Sequence, residues 1–178
     1  RRGAADLEES FMHIFRAGRF WLAAFLLSMG GGAAAAAPDA ALLAAAGSGD
    51  AARVKQLLAQ GAAVDARDAE GNTPLLRATQ GNHVEAARAL IEARADVNAQ
   101  NSIRDSAYLL AGARGYREIL ALTLEHGADL KSTNRYGGTA LIPACERGHV
   151  EVVDMLLRAG VDPDHVNNLG WTGLLEAV

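Results

Sequence analysis

Apolar positions along the chain recur with the period of an α-helix rather than with the two-residue period of a strand. In the stretch 150–158 the apolar residues lie three and four positions apart, a spacing that places their side chains on one helix face. The stretches 84–92 and 117–125 show the same pattern. Glycines separate each of these stretches from a shorter apolar segment before it. The sequence therefore predicts pairs of short helices.

These helix pairs repeat along the chain at a constant interval. The segment that begins at Thr73 is followed by segments that begin at Ser106, Thr139 and Thr172, so each step is 33 residues, without insertion or deletion. A fixed period of this length is typical of solenoid proteins, in which each repeat buries its apolar face against its neighbours. Other positions share the period, among them Ala45, Ala78, Ala111, Ala144 and Ala177 and the aspartates Asp96, Asp129 and Asp162.

Residues with known preferences for helix ends stand at corresponding positions of the repeats. We expect the side chains of Thr73 and Thr139 to cap the first helix of their units, because a threonine oxygen accepts from the free backbone N–H groups there. Pro74 stands at the first helical position, where its missing N–H does no harm. Gly127 and Gly160 follow the second helices and suit a left-handed residue at a helix end.

Composition narrows the possible functions. The chain has 178 residues, of which 50% are apolar and only 5% aromatic, which favours helices packed through small residues. The formal net charge of -4 provides no basic excess for nucleic acid. The single cysteine, Cys145, forms no internal disulfide and is too little for a structural zinc site. The histidines lack metal-ligand spacing and no glycine loop for phosphate is present, so we expect no cofactor and no metal.

The N-terminal segment has the three parts of a secretory signal peptide. Arginines after Met12 precede an apolar run at 20–29, and small residues lead to Ala36, after which we expect cleavage. A run of ten residues is about half of the ~20 that span a bilayer, so we expect no stable membrane span in the mature chain. Residues 1–37 are thus assigned to an N-terminal extension and signal peptide, with translation starting at Met12.

Three short runs carry a resemblance to a known family. Gly-Asn-Thr-Pro-Leu at 71–75, Ala-Asp-Val-Asn at 95–98 and Gly-His-Val-Glu-Val-Val at 148–153 resemble the ankyrin repeat, and 134–149 is similar to exported bacterial ankyrin proteins. The resemblance implies an all-α ankyrin-repeat solenoid of helix-turn-helix units with β-turn fingers over 38–178, preceded by a signal-peptide helix. The expected units are 38–70, 71–103, 104–136, 137–169 and a partial unit at 170–178.

The resemblance also implies a protein partner, bound by the finger tips and the exposed face of the first helices. Tyrosine, tryptophan and arginine are enriched in interface hot spots, and the arginines point to a partner with acidic groups. The competing interpretation is that Tyr136 and Trp171 pack between fingers. The expected partner-binding residues are Arg77, Asn101, Ile103, Arg104, Arg114, Arg135, Tyr136, Glu146, Arg147, Asn168, Leu169 and Trp171.

One repeat departs from the others. Arg94 stands where other units have the glycine after the second helix, and Arg104 replaces the turn glycine represented by Gly71 and Gly137. Because arginine tolerates positive φ less well than glycine, we expect a different turn in the finger at 100–105. A drifted repeat and a locally specialised one remain alternatives.

Three functions from different classes follow. The first is a protein-binding module that is exported and binds its partner in a compartment such as the bacterial periplasm. The second is a cytoplasmic ankyrin scaffold or regulatory subunit. The third is an enzyme that uses Cys145 and His149, which are four residues apart. Cys145 shares its repeat position with small residues, and His149 shares a helix-start position with His83, so we expect a binding protein and no enzyme.

Overall fold

The computed structural model describes residues 36–176 as nine α-helices joined by turns, with no strand in that range. The apolar run at 20–29, assigned to the signal-peptide helix, lies outside the described residues. The all-α repeat fold predicted from the sequence is confirmed. The helices are α1 (Ala36–Ser48), α2 (Ala51–Ala59), α3 (Pro74–Gln80), α4 (Val84–Glu92), α5 (Ala107–Arg114), α6 (Arg117–Glu125), α7 (Leu141–Glu146), α8 (Val150–Ala159) and α9 (Gly173–Glu176).

The helices of the repeats form two layers. The first helices α3, α5, α7 and α9 contact one another in sequence order, and the second helices α2, α4, α6 and α8 do the same. Within each complete repeat the first helix also packs on the second. The apolar faces of both layers are buried between them, with Leu75, Leu90, Ile119 and Leu156 all fully enclosed. Stability is therefore shared between neighbouring repeats.

Small residues set the distance between the first helices. Ala78, Ala111 and Ala144 occupy the same repeat position and are completely buried. Gly112 follows in α5, and a Cβ atom built on it would lie 2.7 Å from the Cβ of Ala140 in the next repeat. The absence of a side chain at this position is thus a packing requirement.

Two of the helix starts follow the expected capping chemistry. The Oγ1 of Thr73 accepts a hydrogen bond from the backbone N–H of Leu76 at 3.2 Å, and Pro74 is the first residue of α3. Ser106 caps α5 in the same way, accepting from the N–H of Leu109 at 3.2 Å. The prediction for Thr73 is confirmed.

The prediction for Thr139 is wrong. Helix α7 begins only at Leu141, no side chain caps it, and the buried hydroxyl of Thr139 has no hydrogen-bond partner among the described residues. In the other repeats the cap carbonyl accepts the first helical hydrogen bond, as when the N–H of Arg77 donates to the O of Thr73 at 2.9 Å. The corresponding residue here is Pro143, which has no N–H to donate, so the first turn lacks that bond.

The connections between repeats are fingers with the same backbone turn. The glycines predicted at the ends of second helices, Gly127 and Gly160, have φ of 84° and 93°, as expected. Arg94 and Arg104 also adopt the left-handed region, with φ of 68° and 62°. We call the connections the first finger (61–73), second finger (94–106), third finger (127–139) and fourth finger (160–172).

The different turn expected for the second finger is therefore wrong. The N–H of Arg104 donates to the O of Asn101 at 3.0 Å, as Gly137 does to Asn134. The side-chain oxygen of Asn101 accepts from the backbone N–H groups two and four residues later, and Asn134 does the same. These bonds hold the turn in place, so Arg104 is kept in a strained conformation that costs roughly 1–2 kcal/mol.

The backbone hydrogen bonds between neighbouring fingers are interrupted where arginine replaces glycine. The N–H of Ser102 donates to the O of Glu70 at 3.1 Å, and the N–H of Asn168 donates to the O of Tyr136 at 2.9 Å. These bonds join the first finger to the second and the third to the fourth. Within the described residues no equivalent bond runs from the third finger to the second.

The Cβ of Arg104 accounts for this interruption. A Cβ atom built on Gly71 would lie 3.3 Å from the backbone nitrogen of Ser102 in the next finger, so a side chain at this position leaves too little room for the next finger to approach as closely. The guanidinium of Arg104 instead donates to the hydroxyl of Thr133 at 3.2 Å. Residue 104 is therefore a spacer between the second and third fingers.

We predict that Arg104→Gly raises the free energy of unfolding by about 0.5–1 kcal/mol, because glycine adopts positive φ without steric cost but loses more chain entropy. Urea unfolding followed by circular dichroism measures the change. Arg94→Gly is the matched control for strain alone, since corresponding Gly61 and Gly127 have no neighbour within 4 Å of a built Cβ. A less stable Arg104→Gly protein contradicts the strain argument.

We predict that Gly112→Ala lowers the free energy of unfolding by about 1–3 kcal/mol through overpacking against Ala140. This sign opposes helix propensity, which favours alanine over glycine by roughly 1 kcal/mol. The control is Gly47→Ala in α1, where a Cβ would meet nothing closer than 3.7 Å and stability should rise. Thermal unfolding of both variants decides the matter, and a stabilised Gly112→Ala protein refutes the packing argument.

Candidate functional site

A groove of about 680 Å³ lies between the second, third and fourth fingers on one side and the first helices α5, α7 and α9 on the other. Its volume falls in the range of ligand-binding clefts. Five apolar residues of the first helices contribute to its lining, namely Leu109, Leu110, Ala113, Ile142 and Pro143. The groove therefore spans three consecutive repeats.

Large apolar side chains stand at the same tip position of the three fingers that border the groove. Ile103, Tyr136 and Leu169 follow one another at steps of 33 residues and are 42%, 51% and 66% exposed. Trp171 also lines the groove and is 47% exposed. Adjacent exposed apolar side chains of this kind are typical of interaction surfaces.

Positive charge gathers near the second and third fingers. Burial raises the pKa of the half-buried Asp105, although the nearby guanidinium groups of Arg135 and Arg114 act in the opposite direction. The guanidinium of Arg135 lies over the ring of Tyr136, 4.8 Å from its centroid, a cation–π arrangement. Arg147 extends back to donate to the O of Ala113 at 2.5 Å, which places its charge on the same side.

Negative charge gathers at the other end, near α9. Burial and the neighbouring carboxylate of Glu146 raise the pKa of Glu176. Both carboxylates line the groove. Because the two negative charges repel each other, a cationic group placed beside them would be stabilised.

The charged groups of the groove form no ion pairs with one another. The ion pairs among the described residues lie elsewhere and link Arg77 with Asp68, Arg88 with Glu85, Arg117 with Glu118 and Glu151, and Arg158 with Asp154. In the same part of the chain Arg114, Arg135, Asp105, Glu146 and Glu176 take part in none of these ion pairs. Their charges remain open to a partner.

The structure brings most of the expected binding residues together. Those that line the groove are Ile103, Arg114, Arg135, Tyr136, Glu146, Arg147, Leu169 and Trp171. The remaining four expected residues lie outside its lining.

Arg77, Asn101, Arg104 and Asn168 have contacts within the repeats. The guanidinium of Arg77 lies 3.8 Å from the carboxylate of Asp68. Asn101 holds the turn of the second finger, and Arg104 contacts the third finger through its side chain. Asn168 joins the fourth finger to the third through its backbone N–H. These four residues therefore hold the fingers in place and do not form the surface of the groove.

The sequence interpretation missed several groove residues that share a repeat position with ones it selected. Leu110, Pro143 and Glu176 follow Arg77 at steps of 33 residues, and all three line the groove. Asp105 occupies the position of Trp171 and also lines it. Extending each selected residue along its repeat position would have found them.

The cysteine and histidines show no catalytic arrangement among the described residues. The sulfur of Cys145 lies against Gly173 in the following repeat, whereas the ring of His149 lies against Gly115 in the preceding one. Burial and the charge of Glu176 raise the pKa of the Cys145 thiol, which reduces its thiolate fraction at neutral pH.

Two further findings concern residues 36–176. No group of three or more His, Cys, Asp or Glu side chains there is arranged to hold a metal ion. None of the helices in this part of the chain is long and apolar enough to cross a membrane.

Comparison with known proteins identifies the family. The family described as ankyrin repeats (3 copies) matches residues 11–101 and 106–178. The chain is similar to the crystal structure of an ankyrin repeat domain from Acinetobacter baumannii AYE, with 62% identity and a TM-score of 0.75, covering 76% of this chain and 69% of that one. It is also similar to EF0377, an ankyrin repeat protein, with 52% identity and a TM-score of 0.75, covering 79% and 72%.

No curated protein has a sequence that matches this chain. The family match covers most of its length and coincides with the 33-residue period and the paired helices. The chain belongs to the ankyrin repeat family.

Proposed function

We propose that the chain binds a partner protein in the groove between its second to fourth fingers and the helices α5, α7 and α9. Ankyrin repeats are protein–protein interaction modules. The observation that carries the choice of surface is the run of exposed apolar finger tips beside an apolar floor. Aromatic anchors at such a surface supply much of the binding energy in protein interfaces.

The strained backbone of Arg104 supports this choice. A non-glycine residue held at positive φ costs stability, and such residues concentrate at functional sites. Arg104 lies at the point where the backbone hydrogen bonds between fingers are interrupted. Ile103 and Tyr136, on either side of this interruption, both line the groove.

Acidic groups on the partner would meet Arg114 and Arg135. Both guanidinium groups line the groove and neither takes part in an ion pair among the described residues. Arginine forms bidentate hydrogen bonds with carboxylates, which gives such contacts direction as well as strength.

Catalysis is not part of the proposal. Proteins of this family typically act as interaction modules. The raised pKa of the Cys145 thiol also opposes a nucleophilic role, since the thiolate is the reactive form.

We predict that Tyr136→Ala combined with Trp171→Ala abolishes capture of a specific partner in a crosslinking pull-down, because it removes both aromatic anchors of the groove. The control is Val150→Ala, which removes an exposed apolar side chain on α8, outside the groove lining. Capture should persist in the control. Equal capture by both variants contradicts the assignment of the surface.

We also propose that the protein is exported, with cleavage after Ala36. The support is the order of basic, apolar and small residues over 12–36. The family match begins at residue 11 and includes this segment, so an uncleaved ankyrin scaffold in the cytoplasm is the alternative.

We predict that N-terminal sequencing of the protein purified from its natural source yields a chain that starts near Ala37. The expected cell fraction is the exported one, such as the periplasm of a bacterium. A chain that retains the apolar run at 20–29 and stays in the cytoplasm contradicts export and leaves the scaffold.

A further inference from the structure

Opposite charges mark the two ends of the groove. Arg114 and Arg135 lie near Asp105 at the end formed by the second and third fingers. Glu146 and Glu176 lie near each other toward α9. Arg147 also lines the groove and donates to the O of Ala113 in α5, and among the described residues none of these charges pairs across the groove. The arginines therefore lie toward one end of the groove and the two glutamates toward the other.

The groove also has an apolar lining. Leu110, Ile142 and Pro143 of the first helices and the tip residues Tyr136 and Leu169 all line the same groove. Apolar side chains of a partner would remove this surface from water, which stabilises the complex by about 25 cal/mol per Å² of apolar area buried. A polar segment would gain no such stabilisation. The groove therefore suits a segment with charged ends and an apolar face.

The spacing of the fingertips indicates the conformation of that segment. Each of the three fingers that border the groove presents one apolar tip, and packed helices of neighbouring repeats lie roughly 8–10 Å apart. An α-helix returns to one face after seven residues, or about 10.5 Å. A strand returns to one face after each ~6.7 Å, which does not match the repeat.

We propose that the groove receives an amphipathic α-helix of about three turns, with an acidic side chain toward Arg114 and Arg135 and a basic side chain toward Glu146 and Glu176. Two repeat steps cover roughly 16–20 Å, which corresponds to about 11–13 helical residues. This inference rests on the proposed function and specifies the partner that the groove selects.

The test uses four synthetic helix-forming peptides of equal length with leucines along one face. One has glutamate near its first residue and lysine near its last, two carry glutamate or lysine at both ends, and the fourth has the mixed ends and a central proline that blocks the helix. Titration calorimetry with the purified chain measures their affinities. We expect the mixed helical peptide to bind about fivefold more tightly than each peptide with like ends.

A charge-reversed protein provides the decisive comparison. In the variant Glu146→Lys combined with Glu176→Lys both ends are positive, so the preference should change to the peptide with two glutamates. Tighter binding of the peptide with two glutamates can occur only if the groove of the variant is folded, so this result excludes misfolding as the cause of the change. The control, Glu92→Lys combined with Glu125→Lys, makes the same change in net charge at exposed positions of α4 and α6 and should keep the original preference.

Each result has a defined meaning. An unchanged preference in the Glu146→Lys and Glu176→Lys variant overturns the proposed charge order, and equal binding of the proline peptide overturns the helical conformation. Binding of no peptide overturns the whole inference. The proposed function is tested separately by the double alanine variant at Tyr136 and Trp171. If that variant loses its natural partner, the proposed function stands even when the helical inference fails. If capture is unchanged, the proposed function itself is refuted.

Discussion

The structure depends on one packing constraint, which is that neither helix of a repeat can bury its apolar face alone. Each repeat must therefore stack on the next, and the distance between neighbours is set by the small residues where the first helices meet, such as Ala111 and Gly112 against Ala140. Because this distance is kept over successive repeats, the fingers that connect them also stack in register. The binding surface is a consequence of that stacking, since each repeat contributes one finger tip and one helix face to it.

One step of this regular stacking is interrupted beside the groove. Backbone hydrogen bonds join the first finger to the second and the third to the fourth, but no such bond joins the second to the third within the described residues. Arg104 explains the interruption, because its Cβ occupies space that Gly71 leaves free for the next finger. The bonds accepted by the Asn101 side chain keep the turn intact. Side-chain bonds from Gln100 and Arg104 to Thr133 still join these two fingers, so the backbone bond is lost while the fold is kept.

The sequence predicted the repeat architecture well because period and helix spacing are local properties of the chain. Prediction from the sequence failed in two situations. In one, a residue affects a neighbouring repeat, and in the other, a missing backbone N–H changes the start of a helix. Thr139 has the residue type of a cap, yet Pro143 removes the N–H that starts the helix. Arg104 was expected to alter its own turn, but the turn is unchanged and the backbone hydrogen bond to the next finger is missing instead. Glu176 was missed as a groove residue although it shares the repeat position of Arg77, because the repeat position was not followed along the chain.

The most direct test of the central claim, that Arg104 removes the backbone hydrogen bond between the second and third fingers, is hydrogen–deuterium exchange of individual backbone amides in the native chain, followed by NMR. The amides of Ser102 and Asn168 donate to the preceding finger and should exchange slowly. The amide of Arg135, at the corresponding position, should exchange much faster. An Arg135 amide as well protected as that of Ser102 would show a continuous ladder of fingers and contradict this account of the groove.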